Sequence, residues 1–106
     1  MKSPTNEATH LILEYLFQKG IYAWRNSVGA TQFKGHFYQF GLSGSSDIFA
    51  IMPPDCTFVG IEIKTGKDKL RPAQIGFIKN IQAMGGRVFV VNGFEDFKQQ
   101  FEVIPS

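Results

Sequence analysis

The stretch from Thr57 to Val91 constrains the fold more than any other part of the chain. It opens with "TFVGIEIKT" (57–65). Side chains alternate along a strand, so Ile61 and Ile63 point one way and Glu62 and Lys64 the other. Pro72 then suits the first position of a helix running to about Met84, and Gly85 and Gly86 stop it. "RVFVV" (87–91) follows as a strand apolar along nearly its whole length, which calls for cover on both faces. Strand, helix and strand in that order make a crossover, so the two strands are expected to lie parallel with a right-handed connection.

The remaining elements fit around that unit. Residues 5–19 read as a helix with Ala8, Leu11, Ile12, Tyr15 and Leu16 on one face. Ser3 or Thr5 suits its N-cap, Pro4 its first turn and Gly20 its end. Residues 21–30 read as a first strand, 47–53 as a second and 57–65 as a third, close enough in sequence to pair antiparallel. Residues 31–46 are rich in Gly and Ser without a sustained period, which reads as a long loop or a loose hairpin. Glu95 to about Phe101 is a short final helix. The expected fold is α/β, a mixed four-stranded sheet flanked by helices, in one domain over 1–106.

At 106 residues and 43% hydrophobic, the chain can bury a core without covalent staples. The single cysteine, Cys56, excludes an internal disulfide and a multi-thiolate zinc site, and fits a reducing compartment such as the cytoplasm. There is no apolar leader and no apolar run of membrane-spanning length, so neither secretion nor membrane insertion is expected.

The charged side of the third strand is where chemistry is expected. Asp47 opens the second strand, and if the two strands are neighbours it converges on Glu62 and Lys64. Two carboxylates that close repel each other, and a divalent cation relieves the repulsion; hard oxygen ligands suit Mg²⁺ or Mn²⁺. Such a cation beside a lysine supplies what metal-assisted phosphodiester hydrolysis requires. The alternative is a same-face surface pair worth about 0.2–1 kcal/mol.

The wider context favours the first. "GLSGSSDIFAI", the spacing from Asp47 to Glu62, and "EIKTGKDKLRPAQ" together resemble the PD-(D/E)XK nuclease superfamily and, more narrowly, the virus-type replication–repair nuclease family, VRR-NUC. Asp47, Glu62, Lys64 and Gln74 match that pattern, Glu14 matches an additional helix carboxylate, and the resemblance runs from about Glu7 to Val91. Ser46 departs from it where the superfamily name implies proline, and so does Arg71, where a Ser or Thr cap is usual. The resemblance implies a restriction-endonuclease-like core and a metal-dependent DNA endonuclease leaving 5′-phosphate and 3′-hydroxyl ends. In it Asp47, Glu62 and the Ile63 carbonyl hold Mg²⁺ or Mn²⁺, Lys64 is the catalytic cation, and Gln74 and Glu14 support the water and the metal. It points to branched DNA, with four-way junctions favoured. A nuclease of the same fold acting on duplex DNA and a DNA-binding module without turnover are the alternatives; the intact Asp47–Glu62–Lys64 set argues against the second.

Gln74, near the third residue of its helix, also suits a capping box. His10 lies one turn before Glu14, within contact. Lys64, Lys67, Lys69 and Arg71 put four of the eleven cations into eight residues, a phosphate track that Arg25 and Asn26 can join. "FKGHFYQF" (33–40) interleaves four aromatics with Lys34 and His36, which suits stacking on exposed bases or packing on a partner subunit, and the sequence does not choose between them. Resolving a four-way junction takes two cuts, so a two-fold homodimer is expected, with Phe33, Phe37, Tyr38 and Phe40 contributing to its contact.

Overall fold

The first helix, α1 (Pro4–Gln18), begins where the side chain of Ser3 accepts a hydrogen bond from the Asn6 amide, with proline in its first turn. It ends at Gly20, whose φ of +74° is the left-handed conformation that glycine adopts without penalty. The computed structural model describes residues 3–103. Among them follow β1 (Tyr22–Arg25), β2 (Gly29–Phe33), β3 (His36–Phe40), β4 (Ile48–Met52), β5 (Thr57–Ile63), α2 (Pro72–Ala83), β6 (Arg87–Val91) and α3 (Phe94–Glu102). The main sheet has the order β1-β4-β5-β6, antiparallel at its first two pairings and parallel between β5 and β6. This is the mixed four-stranded α/β sheet expected, with the crossover through α2. None of the described helices is long and apolar enough to cross a membrane.

The two faces of the sheet are packed differently. Ile48, Ala50, Val59, Ile61, Ile63, Phe89 and Val91 point to one face, where Ala8, Ile12 and Leu16 of α1 and Phe97 of α3 cover them. Phe97 is wholly buried and meets Phe89, Phe101 and Tyr15 at ring-centroid distances of 5.2–6.0 Å. Leu11, expected on the buried stripe of α1, is exposed, and Thr9 takes a place there. The other face carries Phe49 and Phe58, and α2 packs on it through Phe77, which stacks on Phe49 at 6.1 Å. α1 and α3 thus lie on one side and α2 on the other.

The expected first strand, 21–30, is half as long in the main sheet. It stops at Arg25, and the chain then leaves the sheet to form a separate two-stranded ribbon from β2 and β3. The loose segment is therefore an ordered hairpin that starts earlier, at Gly29. Its two-residue turn is Lys34–Gly35, both at positive φ (52° and 79°), as a type I′ hairpin turn requires. Lys-Gly is not one of the usual pairs for that turn, which is why the sequence gives little sign of it. Pairing of Phe33 with His36, Thr31 with Tyr38 and Gly29 with Phe40 puts Phe33, His36, Tyr38 and Phe40 on one face. Phe37 lies opposite Gln32 on the other, so the four aromatics expected to share one contact are divided between two faces.

After the ribbon, the loop 41–46 returns to the sheet and packs on the start of α2. Gly44 sits at φ +85°, and a Cβ there would lie 2.5 Å from the Ala73 carbonyl oxygen. Gly20 is also left-handed but has open space around it. Both substitutions to alanine incur backbone strain, and only Gly44→Ala adds a backbone clash. Denaturant unfolding is expected to place Gly44→Ala about 1–3 kcal/mol below Gly20→Ala in stability; equal values would mean that the loop does not rest on α2.

Candidate active site

The register that pairs Ile48 with Ile61 sets Asp47 directly across from Glu62 one step further along. Facing residues on antiparallel strands have Cβ atoms about 5 Å apart. On the other edge of β4 the β1 pairing also runs one step further, since the Asn26 amide donates to the Asp47 carbonyl at 2.9 Å. One carboxylate oxygen of Asp47, Oδ2, accepts from the Ile63 amide at 2.7 Å, which aims the side chain across the strand gap. Glu62 is only 4% exposed. Burial first, and then the facing Asp47 charge, push its carboxyl from an ordinary 4.5 up to about 7, with Lys64 opposing.

Lys64 follows on the same face, its Nζ 3.9 Å from Glu62 Oε1 and both side chains largely withdrawn from solvent. The Lys64 amide donates to the Val91 carbonyl at 2.8 Å, so the lysine is held in the sheet although the strand has formally ended. Gln74 combines the two roles its position suggests. Its Oε1 accepts from the Arg71 amide at 2.8 Å, closing the first turn of α2, and its Nε2 donates to Glu62 Oε1 at 3.0 Å. The helix start and the buried Glu62 carboxylate are thereby tied through one amide.

Asp47, Glu62 and Gln74 open onto a cleft of about 660 Å³, lined also by Arg25, Asn26 and Arg71, by the 43–46 loop, and by Thr5 and Thr9 of α1; Lys64 stands behind Glu62 and does not line it. Phe40 and Val28, at the base of the ribbon, complete its wall. Not every expected residue is there. Glu14 is exposed, lies 3.9 Å from His10, and does not line the cleft. It projects from the helix roughly opposite Thr5, nine positions away at 3.6 residues per turn, so the α1 residues that reach the site are the two threonines. Asn26 lines the cleft, yet its Nδ2 is spent internally on Ser45 Oγ and the Ser46 carbonyl, at 2.7 and 2.9 Å. It braces the Gly-Ser loop. Arg25 donates to Asn6 Oδ1 at the cleft rim, while Lys67 and Lys69 stand exposed on the loop outside it.

Thr5, Thr9, Ser45 and Ser46 were missed because hydroxyls carry no charge signature and their spacing follows no motif. Ser46 is 1% exposed, and its hydroxyl has no hydrogen-bond partner. It occupies the space that a side chain on Gly60 would fill, and the small pair lets the loop close over β5.

The donor set suits a hard divalent cation. Two facing carboxylates carry more negative charge than one lysine at 3.9 Å offsets, and the Asp47 charge adds to burial in raising the Glu62 carboxyl. Among the described residues there is no cluster of three or more His, Cys, Asp or Glu side chains, so any further ligands would be backbone carbonyl, water or substrate oxygen, a set that Mg²⁺ accepts.

The raised carboxyl predicts a pH dependence of stability. A group whose folded value lies above its unfolded one stabilises fully below about 4.5, and that contribution is lost as pH rises through about 7. In chelator, unfolding free energy is expected to fall by about 3 kcal/mol over this window. Glu62→Gln should flatten the slope, and Mg²⁺ or Mn²⁺ should restore wild-type stability at pH 8. A pH-independent wild type would contradict the site geometry.

No curated protein matches the chain significantly. The family profile of the VRR-NUC domain matches residues 5–95, which takes in Asp47, Glu62, Lys64 and Gln74. The chain belongs to the VRR-NUC domain family and is a nuclease of the virus-type replication–repair class.

Proposed function

We propose that the chain is a metal-dependent endonuclease that hydrolyses phosphodiesters in branched DNA, with the four-way junction as its preferred substrate. The observation that carries this is the pairing of Asp47 with Glu62 on facing strands at the floor of an open cleft, with Lys64 behind them, its Nζ 3.9 Å from Glu62 Oε1. Asp47, Glu62 and the Ile63 carbonyl would hold Mg²⁺ or Mn²⁺. Bound there, the cation supplies a Lewis acid for a phosphate oxygen and lowers the pKa of a water. Lys64 brings a positive charge to where negative charge develops on the phosphorus oxygens. Gln74 fixes the orientation of Glu62 through its Nε2. Arg25 and Arg71 at the cleft wall, with Lys67 and Lys69 beyond it, would bind the flanking phosphates.

A single site makes one cut, and separating a four-way junction into two duplexes takes two cuts on symmetry-related strands. A two-fold homodimer is the simplest arrangement with two identical sites. Light scattering should report a dimer at micromolar concentration; a monomer that still makes paired cuts would remove the reason for one. Duplex cutting without structural preference is the competing enzymatic reading, and a gel comparing labelled junction, flap and duplex in Mg²⁺, Mn²⁺ or chelator separates them.

Asp47→Ala, Glu62→Ala and Lys64→Ala are each expected to slow cleavage at least ~10²-fold, with DNA binding better preserved in the lysine variant. Wild-type cleavage by Lys64→Ala would refute the mechanism. Neutralising Lys67, Lys69 and Arg71 together should reduce the slope of log K against log salt by up to ~0.9 per lost phosphate contact, and an unchanged slope would put the DNA on another surface.

A further inference from the structure

The ribbon has no part in the chemistry above, yet it exposes large rings to solvent. Phe33 is 63%, Tyr38 50% and Phe40 48% exposed. A lone two-stranded ribbon is marginally stable in water, so something is expected to cover it in the working complex. Two observations identify the occupant. First, Phe40 lies across Gly29 and lines the catalytic cleft, and the register puts Tyr38, His36 and Phe33 on the same face. The ring surface therefore continues outward from the wall of the cleft. Second, the chain has no Asp or Glu between Glu14 and Asp47, while Arg25, Lys34 and His36 fall in that interval. Lys34 Nζ stands over the Phe33 ring at 5.5 Å. A second copy meeting this face with its own ribbon would bring two Lys34 ammonium groups to the contact, with no carboxylate on either ribbon to pair them. A polyanion with exposed π-faces meets both features.

We propose that this face of the ribbon is a stacking platform for bases left unstacked or unpaired at the DNA branch point, next to the scissile strand. The inference rests on the nuclease reading above and adds the contact that would distinguish branched from linear DNA. Alternate residues on a strand lie about 7 Å apart, and stacked bases rise about 3.4 Å, so one base fits between successive rings of the face. The His36 and Tyr38 rings are 6.3 Å apart and tilted by 56°, so one of them must turn to lie flat on a base. A fully paired duplex offers no free base faces and gains nothing from the platform.

The test is binding of the full chain in chelator, so that nothing is cut. Two labelled DNAs of equal length are compared, a linear duplex and a branched molecule with 2-aminopurine at an unpaired position. Wild type is expected to quench the 2-aminopurine. Tyr38→Ala should bind the branched DNA at least ~5-fold more weakly, the low end for one lost base–aromatic stack, with duplex affinity unchanged. Tyr38→Trp should restore both quenching and affinity, and Phe37→Ala, on the opposite face, should behave as wild type. Equal losses on both DNAs, or no loss on either, would overturn the proposal. So would a Tyr38→Ala protein whose mass by light scattering is half that of wild type, since the face would then be a subunit contact. Adding Mg²⁺ to the same samples separates the two readings. Quenching without cutting sinks the nuclease and leaves the platform; cutting without quenching does the reverse.

Discussion

The register between β4 and β5 is what the rest of the molecule depends on. Ile48 and Ile61 face each other, both wholly buried, and a slip of one residue would turn every side chain of β4 to the wrong face. The apolar core therefore enforces the pairing, and the two carboxylates one step beyond inherit it. Asp47 and Glu62 would not choose to lie side by side. They do so because the hydrophobic gain of the strands on which they sit exceeds the repulsion concentrated at one end. The site stores an electrostatic deficit that a divalent cation is suited to fill.

Much of the neighbouring structure serves to keep that deficit in place. The Ile63 amide and the Gln74 side chain each hold one carboxylate oxygen. Gln74 is in turn held by the turn that starts α2, and α2 is anchored to the sheet by Phe77 on Phe49. Loop 41–46 closes the cleft through close approaches that only small residues permit, Gly44 against Ala73 and Ser46 over Gly60. Asn26 ties the same loop to the end of β1. The separated ribbon is the exception: apart from Phe40 at the cleft wall, its exposed rings take no part in this framework.

The crossover and the face of β5 were legible because they depend on period and on glycine and proline at element ends, which a sequence displays directly. Asp47, Glu62, Lys64 and Gln74 were legible for a related reason, since charged groups on a buried strand stand out. Glu14 was not, because helical position alone does not tell which side of α1 meets the cleft; only the packing of Ile12 and Leu16 on the sheet decides that. Asn26 lines the cleft as expected of a phosphate-track residue, but that its Nδ2 braces the loop was not legible, since a polar residue beside a site does not announce its partner. The ribbon was half legible. Gly and Ser suggested irregular chain, whereas the positive φ of Lys34 and Gly35 organises the hairpin and divides its aromatics between two faces.

The central claim is that the facing carboxylates form a divalent-cation site. Calorimetric titration of Mn²⁺ into the metal-free protein at pH 6, in buffers of different ionisation heat, tests it most directly. The account predicts one saturable site with release of a proton, because Glu62 must give up its own to coordinate, and loss of that site in Asp47→Asn. No binding at millimolar Mn²⁺, or equal binding by Asp47→Asn, would contradict it.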